Sequence, residues 1–326
     1  MTGRWIERRN FLLTLSDQNS RHVVEPRQLR FIGVAAVPYA ANHRRERRVS
    51  HVFTFQRQYR GGLQAVVLDW AGTTVDYGCY APAVVFREVF KRQGVEISIE
   101  EAREPMGTHK RTHIEQITKI PAVSRRWKEV HGRDCNDHDV ETMFADFIPL
   151  QLACLAEYAD LIPGTLETIA EFRKRGLKIG STTGYDAEMM AIVQKEARQR
   201  GYEPDSMVCG TDVPAGRPAP WMCLVNAQQL GIFPMESIVK IGDTVPDIAE
   251  GLNAGMWTIG LAKTGNEIGL NEAEISALPE PEYGRRIQRA YTKMNQAGAH
   301  YVVDGIADVL PCLDAIEIRL QRGEKP

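Results

Sequence analysis

Apolar residues run almost without interruption from Leu63 to Leu68, and a single acid, Asp69, closes the run. A stretch of strand length without polar alternation predicts a parallel strand buried on both faces. After Pro163-Gly164 five further short apolar stretches follow, LKIGSTT, SMVCG, SIVKIGD, MWTIGLA and HYVVD. Helical periodicity separates most of them, over about residues 165–175, 186–199, 218–230, 246–254 and 305–320. Strand and helix in alternation predict an α/β fold, a doubly wound parallel sheet with helices on both faces.

Between the first strand and the second the pattern turns helical. Val85, Phe86, Val89 and Phe90 recur at helical spacing until Gly94, and further helices are expected over 108–119, 121–131 and 137–157. The chain therefore divides into an extension (1–62), a core (63–78 and 158–326) and an inserted helical unit (79–157). Residues 264–299 are mostly charged and helical in pattern, which predicts surface decoration.

Composition sharpens this outline in two places. At 43% hydrophobic and 25% charged residues, with no apolar window of membrane-spanning length, the 326-residue chain reads as a soluble globular protein. The six cysteines have neither metal spacing nor the density of a disulfide framework, which predicts free thiols in a reducing cytoplasm. The net charge of −2 hides an asymmetry: residues 1–60 hold twelve arginines against four acids. Such a leader is compatible with a nucleic-acid arm, a transit peptide or an unstructured tail. No folded basic module accompanies it, so a disordered or non-native extension is expected, with no nucleic-acid partner.

The candidate chemistry sits at strand ends. Asp69 follows the first strand, where open α/β sheets place their ligands, and Gly72-Thr73-Thr74 supply a turn with free N–H groups and hydroxyls. Thr183 ends the second strand, Arg217 precedes a helix, and Asp243 and Asp247 follow a later strand. By itself each acid has a plainer reading, a cap after a buried strand for Asp69 or at a helix start for Asp243 and Asp247. Met106, Lys110, His113, Ile114 and Ile117 share one helical face. A lysine there either extends to water or, held among apolar neighbours, becomes a neutral nucleophilic amine.

Taken in order, the four strand-end motifs resemble those of the haloacid dehalogenase superfamily of phosphoryl-transfer enzymes. DWAGTTVDYG, EPMGTHK, GSTTGYD, GRPAPWMC and GDTVPDI together resemble the phosphonoacetaldehyde hydrolase family within it, over about residues 63–320. The resemblance implies a haloacid dehalogenase-like core with a helical cap, and hydrolysis of phosphonoacetaldehyde to acetaldehyde and phosphate. It assigns Asp69 as nucleophile, Lys110 as Schiff-base lysine and His113 as the proton-transfer histidine. Mg2+ would be held by Asp69, the Ala71 carbonyl and Asp243, with Asp247 in support. Thr183 and Arg217 would hold the phosphoryl group; Met106, Cys79 and Tyr185 would line the pocket. A homodimer formed through the caps is also implied.

Position 71 separates the candidate reactions. Phosphatases of the superfamily place a second aspartate there as general acid. Here it is alanine, so an alkoxide leaving group would lack its proton, whereas an imine at Lys110 would turn a carbon leaving group into an enamine. The alternatives are a capped phosphatase or phosphomutase acting on a small phosphate ester, and a non-catalytic interaction protein using its basic leader.

Overall fold

Strand β1 (Ala65–Leu68) lies inside a six-stranded sheet in the computed structural model, which describes residues 58–326. The other strands are β2 (Lys178–Thr183), β3 (Ser206–Cys209), β4 (Ile238–Gly242), β5 (Trp257–Leu261) and β6 (Tyr301–Val303). Their order is β3-β2-β1-β4-β5-β6, and every neighbouring pair is parallel. The basic leader, with its Arg44–Arg48 run, falls outside the described residues.

Twelve helices accompany the sheet among the described residues. Five stand between β1 and β2: α1 (Tyr80–Arg92), α2 (Ile99–Arg103), α3 (Lys110–Lys119), α4 (Pro121–His131) and α5 (Asp137–Cys154). The others are α6 (Thr165–Lys174), α7 (Ala187–Gln199), α8 (Trp221–Leu230), α9 (Val245–Asn253), α10 (Glu272–Ala277), α11 (Glu280–Gln296) and α12 (Leu310–Gln321).

The pleat of β1 explains its unbroken apolar pattern. Val66 and Leu68 join a cluster with Ile169 and Phe172 of α6 and Leu313 of α12, while Ala65 and Val67 join a second with Cys223, Ala227 and Leu230 of α8. Both faces are covered, as in doubly wound sheets. Leu68 pairs with Ser181 on one side and Ile241 on the other, so β4 runs one residue and β2 two residues beyond the end of β1. Asp69, Thr182 and Thr183, and Asp243 therefore share one edge, at the crevice where the strand order reverses between β1 and β4.

The two chains that join the helical insertion to the sheet are tied together. Asp76 N–H donates to Asp160 O at 3.1 Å and Ile162 N–H to Thr74 O at 2.9 Å. The Asp76 carboxylate caps α1 through Tyr80 N–H (2.9 Å) and Ala81 N–H (3.1 Å), and burial pushes its carboxyl up to about 7.

One helix goes unforeseen by the pattern, and three sequence expectations need correction. Helix α2 is too short for periodicity to reveal; a capping box holds it, with Glu101 N–H donating to Ser98 Oγ (3.1 Å) and Ser98 N–H to Glu101 Oε2 (2.8 Å). Helix α8 begins at Trp221 and not at 218, because Ala219 N–H closes a turn on Gly216 O at 3.1 Å. The stretch expected as one helix over 305–320 is a 3-10 turn, Ile306–Asp308, followed by α12. Finally, residues 264–299 are more than decoration: α10 and α11 are largely exposed, yet Thr264, Asn266 and Ile268 are buried. All six cysteines are unpaired thiols, and no helix among the described residues is long and apolar enough to cross a membrane.

Candidate active site

Asp69 leaves β1 into a turn in which the Trp70 carbonyl accepts the N–H groups of Thr73, Thr74 and Val75. Gly72 is required at its apex: its φ is +86°, and a Cβ there would stand 2.3 Å from Asp243 Oδ2. The turn can therefore press against the end of β4. Asp243 accepts from Asn266 N–H at 2.8 Å and from the Cys79 thiol at 3.2 Å, and that thiol lies 3.1 Å from Ala71 O. Asp247 lies in the first turn of α9, where it takes part in a capping box with Thr244.

One carboxylate oxygen from each of Asp69, Asp243 and Asp247 lies within 4.8 Å of the others. Burial raises Asp243 well above the usual carboxyl range, and the charges of Asp69 and Asp247 add to it. Burial acts the same way on Asp247, but Arg217 and Lys240 outweigh it and hold that group low. Asp69 is raised by burial, with Arg217 working against the rise.

Arg217 is the hub of the counter-charge. Its Nη2 reaches Asp69 Oδ1 at 2.6 Å and Thr182 Oγ1 at 2.7 Å, and its Nε reaches Glu250 Oε2 at 3.1 Å. Nη1 lies 3.0 Å from Asp247 Oδ1 and 3.4 Å from the Gly107 carbonyl of the helical insertion. Lys240 supplies a second buried cation, 2.8 Å from Asp247 Oδ1 and 2.9 Å from Thr182 Oγ1. Four buried carboxylates, Asp69, Asp243, Asp247 and Glu250, thus face two buried cations, Arg217 and Lys240. Crowded carboxylates of this kind are the hard oxygen ligands that a divalent cation takes. The donor set fits a metal ion.

The insertion brings Lys110 over this edge. Lys110 is 5% exposed, and its amine lies 4.6 Å from the Tyr185 ring centroid and is pushed down to about 8 by burial. No described carboxylate lies within ion-pair distance of it. His113, fully buried, stacks on Phe86 at 3.8 Å between centroids. Its Nε2 lies 2.8 Å from Ala102 O; a carbonyl only accepts, so Nε2 carries the proton and Nδ1, which has no partner, keeps its lone pair. Burial, reinforced by the Lys110 charge, keeps this ring neutral.

A cavity of about 30 Å³ joins these parts. Asp69, Ala71, Cys79, Met106, Lys110, Thr183, Tyr185 and Arg217 all line it, together with Pro82, Gly107, Gly184 and Thr244. Asp243 and Asp247 stand outside the lining, around Asp69, and so does His113, whose partner ring Phe86 has its centroid 5.8 Å from the Lys110 amine. Core and insertion meet here without room to spare: a Cβ on Gly184 would lie 2.7 Å from Thr108 O, and one on Gly107 2.3 Å from Thr244 Oγ1.

With this geometry in hand, comparison with known proteins is decisive. A profile of haloacid dehalogenase-like hydrolases matches residues 63–255. The chain belongs to the haloacid dehalogenase-like hydrolase family. The hydrolase is 48% identical over 274 residues to the phosphonoacetaldehyde hydrolase of Nitratidesulfovibrio vulgaris, covering 84% of this chain and 98% of that one. It is 46% identical over 255 residues to the enzyme of the same name from Bacillus cereus, covering 78% and 97%. The crystal structure of a phosphonoacetaldehyde hydrolase-like protein from Oleispira antarctica superposes with a TM-score of 0.81 at 40% identity, over 85% of this chain and all of that one. β-Phosphoglucomutase of Clostridium difficile, 14% identical with a TM-score of 0.58, shares the fold alone.

Sequence reasoning missed Thr182, Lys240 and Glu250. Two of them left a signal: Lys240 interrupts an otherwise apolar strand, and Glu250 follows Asp247 at helical spacing, on one face of α9. Arg103 and Asn266, described below, left none.

Proposed function

We propose that this hydrolase cleaves the carbon–phosphorus bond of phosphonoacetaldehyde, giving acetaldehyde and phosphate. The observation that carries the reading is the placement of a buried amine with a lowered pKa, Lys110, in one small cavity with the Asp69 carboxylate and the methyl group of Ala71.

In this reading the neutral Lys110 amine adds to the aldehyde carbon, one proton is taken up from solvent and water leaves, forming a protonated imine. An Asp69 oxygen then attacks phosphorus, the C–P bond breaks, and its electron pair passes into the imine to leave an enamine. Protonation of the enamine carbon and hydrolysis of the imine release acetaldehyde and restore the amine. Water hydrolyses the aspartyl-phosphate and releases phosphate. The His113 lone pair at Nδ1 suits proton transfer near Lys110.

Five protein oxygens already surround the Arg217 guanidinium. As Asp69 bonds to phosphorus, the Nη2–H that it accepted becomes free for a phosphoryl oxygen, so the donor is oriented before charge moves. Thr183 offers its hydroxyl from the same wall, and Met106, Cys79 and Tyr185 enclose the two-carbon unit. Mg2+, held by Asp69, the Ala71 carbonyl and Asp243 with Asp247 in support, would neutralise charge on the phosphoryl oxygens. We read residues 79–157 as a cap on a core of 63–78 and 158–326, the protein as a homodimer through the caps, and its location as cytoplasmic, in keeping with six free thiols.

The test is release of acetaldehyde and phosphate from phosphonoacetaldehyde set against phosphate release from small phosphate esters. Turnover of the phosphonate with little ester hydrolysis is expected. Faster hydrolysis of esters, without acetaldehyde from the phosphonate, would replace this reading with that of a capped phosphatase.

A further inference from the structure

Arg103, the last residue of α2, is 7% exposed, and no described carboxylate lies within ion-pair distance of it. A buried cation without a counter-ion is unusual, because losing water is tolerable only where other groups replace it. Here the replacements are neutral: Gly78 O at 2.6 Å and Asn266 Oδ1 at 3.3 Å on Nη1, and Gly269 O at 3.1 Å on Nη2. The Tyr80 ring centroid lies 5.5 Å from the guanidinium carbon, and Nε has no partner.

Two of those three acceptors belong to the loop after β5, which reaches the site from its other side. Asn266 returns a bond from Nδ2 to Arg103 O at 3.2 Å, and its backbone N–H donates to Asp243 Oδ2 at 2.8 Å. The loop is shaped for both contacts. A Cβ on Gly265 would stand 2.2 Å from Asp243 Cβ, and one on Gly269, whose φ is +66°, would stand 2.8 Å from the Arg103 guanidinium carbon.

We infer that Arg103 and Asn266 form a latch through which docking of the helical insertion orients Asp243. Arg103 leaves water only while α2 lies against residues 265–269. When α2 lifts, the guanidinium is rehydrated, Asn266 loses its side-chain partners, and the N–H that fixes Asp243 is no longer held. Because Met106 and Lys110 follow Arg103 on the same segment, the latch ties arrival of the amine to completion of the oxygen cluster. Linkage is reciprocal: a cation that orders Asp243 also favours the docked insertion. Arg103 and Asn266 touch no reacting atom and are positioning residues.

The inference rests on the reading of Asp243 as a metal ligand, and one experiment separates the two. Mg2+ is titrated calorimetrically into the full chain, into Arg103→Lys, Asn266→Ala and their double variant, and into Asp243→Asn, with no substrate present. Each single variant is expected to bind Mg2+ on the order of tenfold more weakly than wild type, the size seen when a ligand's own support is removed. The double variant should be no weaker than the weaker single one, because both break the same link. Hydrogen exchange of the α2 amides should slow on adding Mg2+ to wild type and stay unchanged in Asn266→Ala, a response that a merely structural role would not produce. Wild-type affinity in the latch variants, or effects that multiply in the double variant, would overturn the latch while Asp243→Asn still lost binding. Undiminished binding in Asp243→Asn would instead overturn the ligand reading, and the latch with it. Should Arg103→Lys fail to fold, Asn266→Ala carries the same decision.

Discussion

Arg217 donates to Asp69 Oδ1 at 2.6 Å through Nη2 while its Nη1 lies 3.4 Å from Gly107 O, so one planar group spans the candidate nucleophile and the segment that carries Lys110. A lysine cannot reproduce that fork. Arg217→Lys is expected to lower kcat by roughly 10²–10³-fold, as removal of an aligned charge-stabilising donor does, with a smaller change in KM. Steady-state kinetics check this; a kcat within threefold of wild type would remove Arg217 from the phosphoryl site.

Lys240 and Glu250 should be energetically coupled. Lys240→Met leaves Asp247 and Glu250 sharing Arg217 alone, and breaking a buried pair in this way destabilises by about 3–5 kcal/mol. Adding Glu250→Gln removes the surplus charge and should recover part of the loss. Urea midpoints of the single and double variants measure the coupling, and equal destabilisation in both would deny it.

The Lys110 amine titrates near 8, so its neutral fraction rises about tenfold per pH unit up to that value. Borohydride trapping of an imine with acetaldehyde should rise correspondingly from about pH 6 and level off above about 8, with the adduct mapping to Lys110. Lys110→Arg should lose both trapping and turnover. A merely electrostatic lysine predicts partial activity in that variant and no adduct in wild type.

The same shift carries a stability consequence. The folded value, about 8, lies below the ordinary 10.5, so the unfolded chain holds the proton more tightly between the two. The penalty is complete below pH 8 and fades as pH rises through that window. Lys110→Met should therefore stabilise the protein at neutral pH by up to about 3 kcal/mol, an advantage lost above the window. Denaturation at neutral and at alkaline pH decides it; an inactive variant no more stable than wild type at neutral pH would contradict the buried-amine account.

Ala71→Asp would place a carboxylate beside Lys110 in a cavity of about 30 Å³. Ion pairing would hold the amine protonated, so lower activity on phosphonoacetaldehyde is expected. A faster variant would mean that the methyl group at 71 is a deficiency.

Asp243→Asn removes a like charge that burial and two neighbouring carboxylates already disfavour. Without metal it should melt a few degrees above wild type, on the order of 1 kcal/mol. Mg2+ should raise the wild-type midpoint and leave the variant unmoved, since only a ligand bound to the native state stabilises it. A parallel Mg2+ response in both would place the ion elsewhere.

What the chain order alone determined is local in origin. The apolar run of β1, the capping signal at Pro246-Asp247 and the Lys110–His113–Ile114–Ile117 face need only a few consecutive residues; Met106, which spacing put on that face, lies in a turn before α3, and it is the resemblance of the motifs to the family's, not the local pattern, that names Asp69, Asp243 and Lys110. The tertiary structure decided the pairings. That Thr182 binds Arg217 and Lys240 while its neighbour Thr183 faces the cavity depends on the pleat at the end of β2 and on β4 lying two strands away. That residues 264–269 serve Asp243, although their charge pattern reads as surface, depends on a backbone N–H, which every residue but proline carries and which therefore leaves no trace in composition. The lowered amine of Lys110 and the lone pair of His113 likewise come from burial, which arises only when the insertion closes on the sheet.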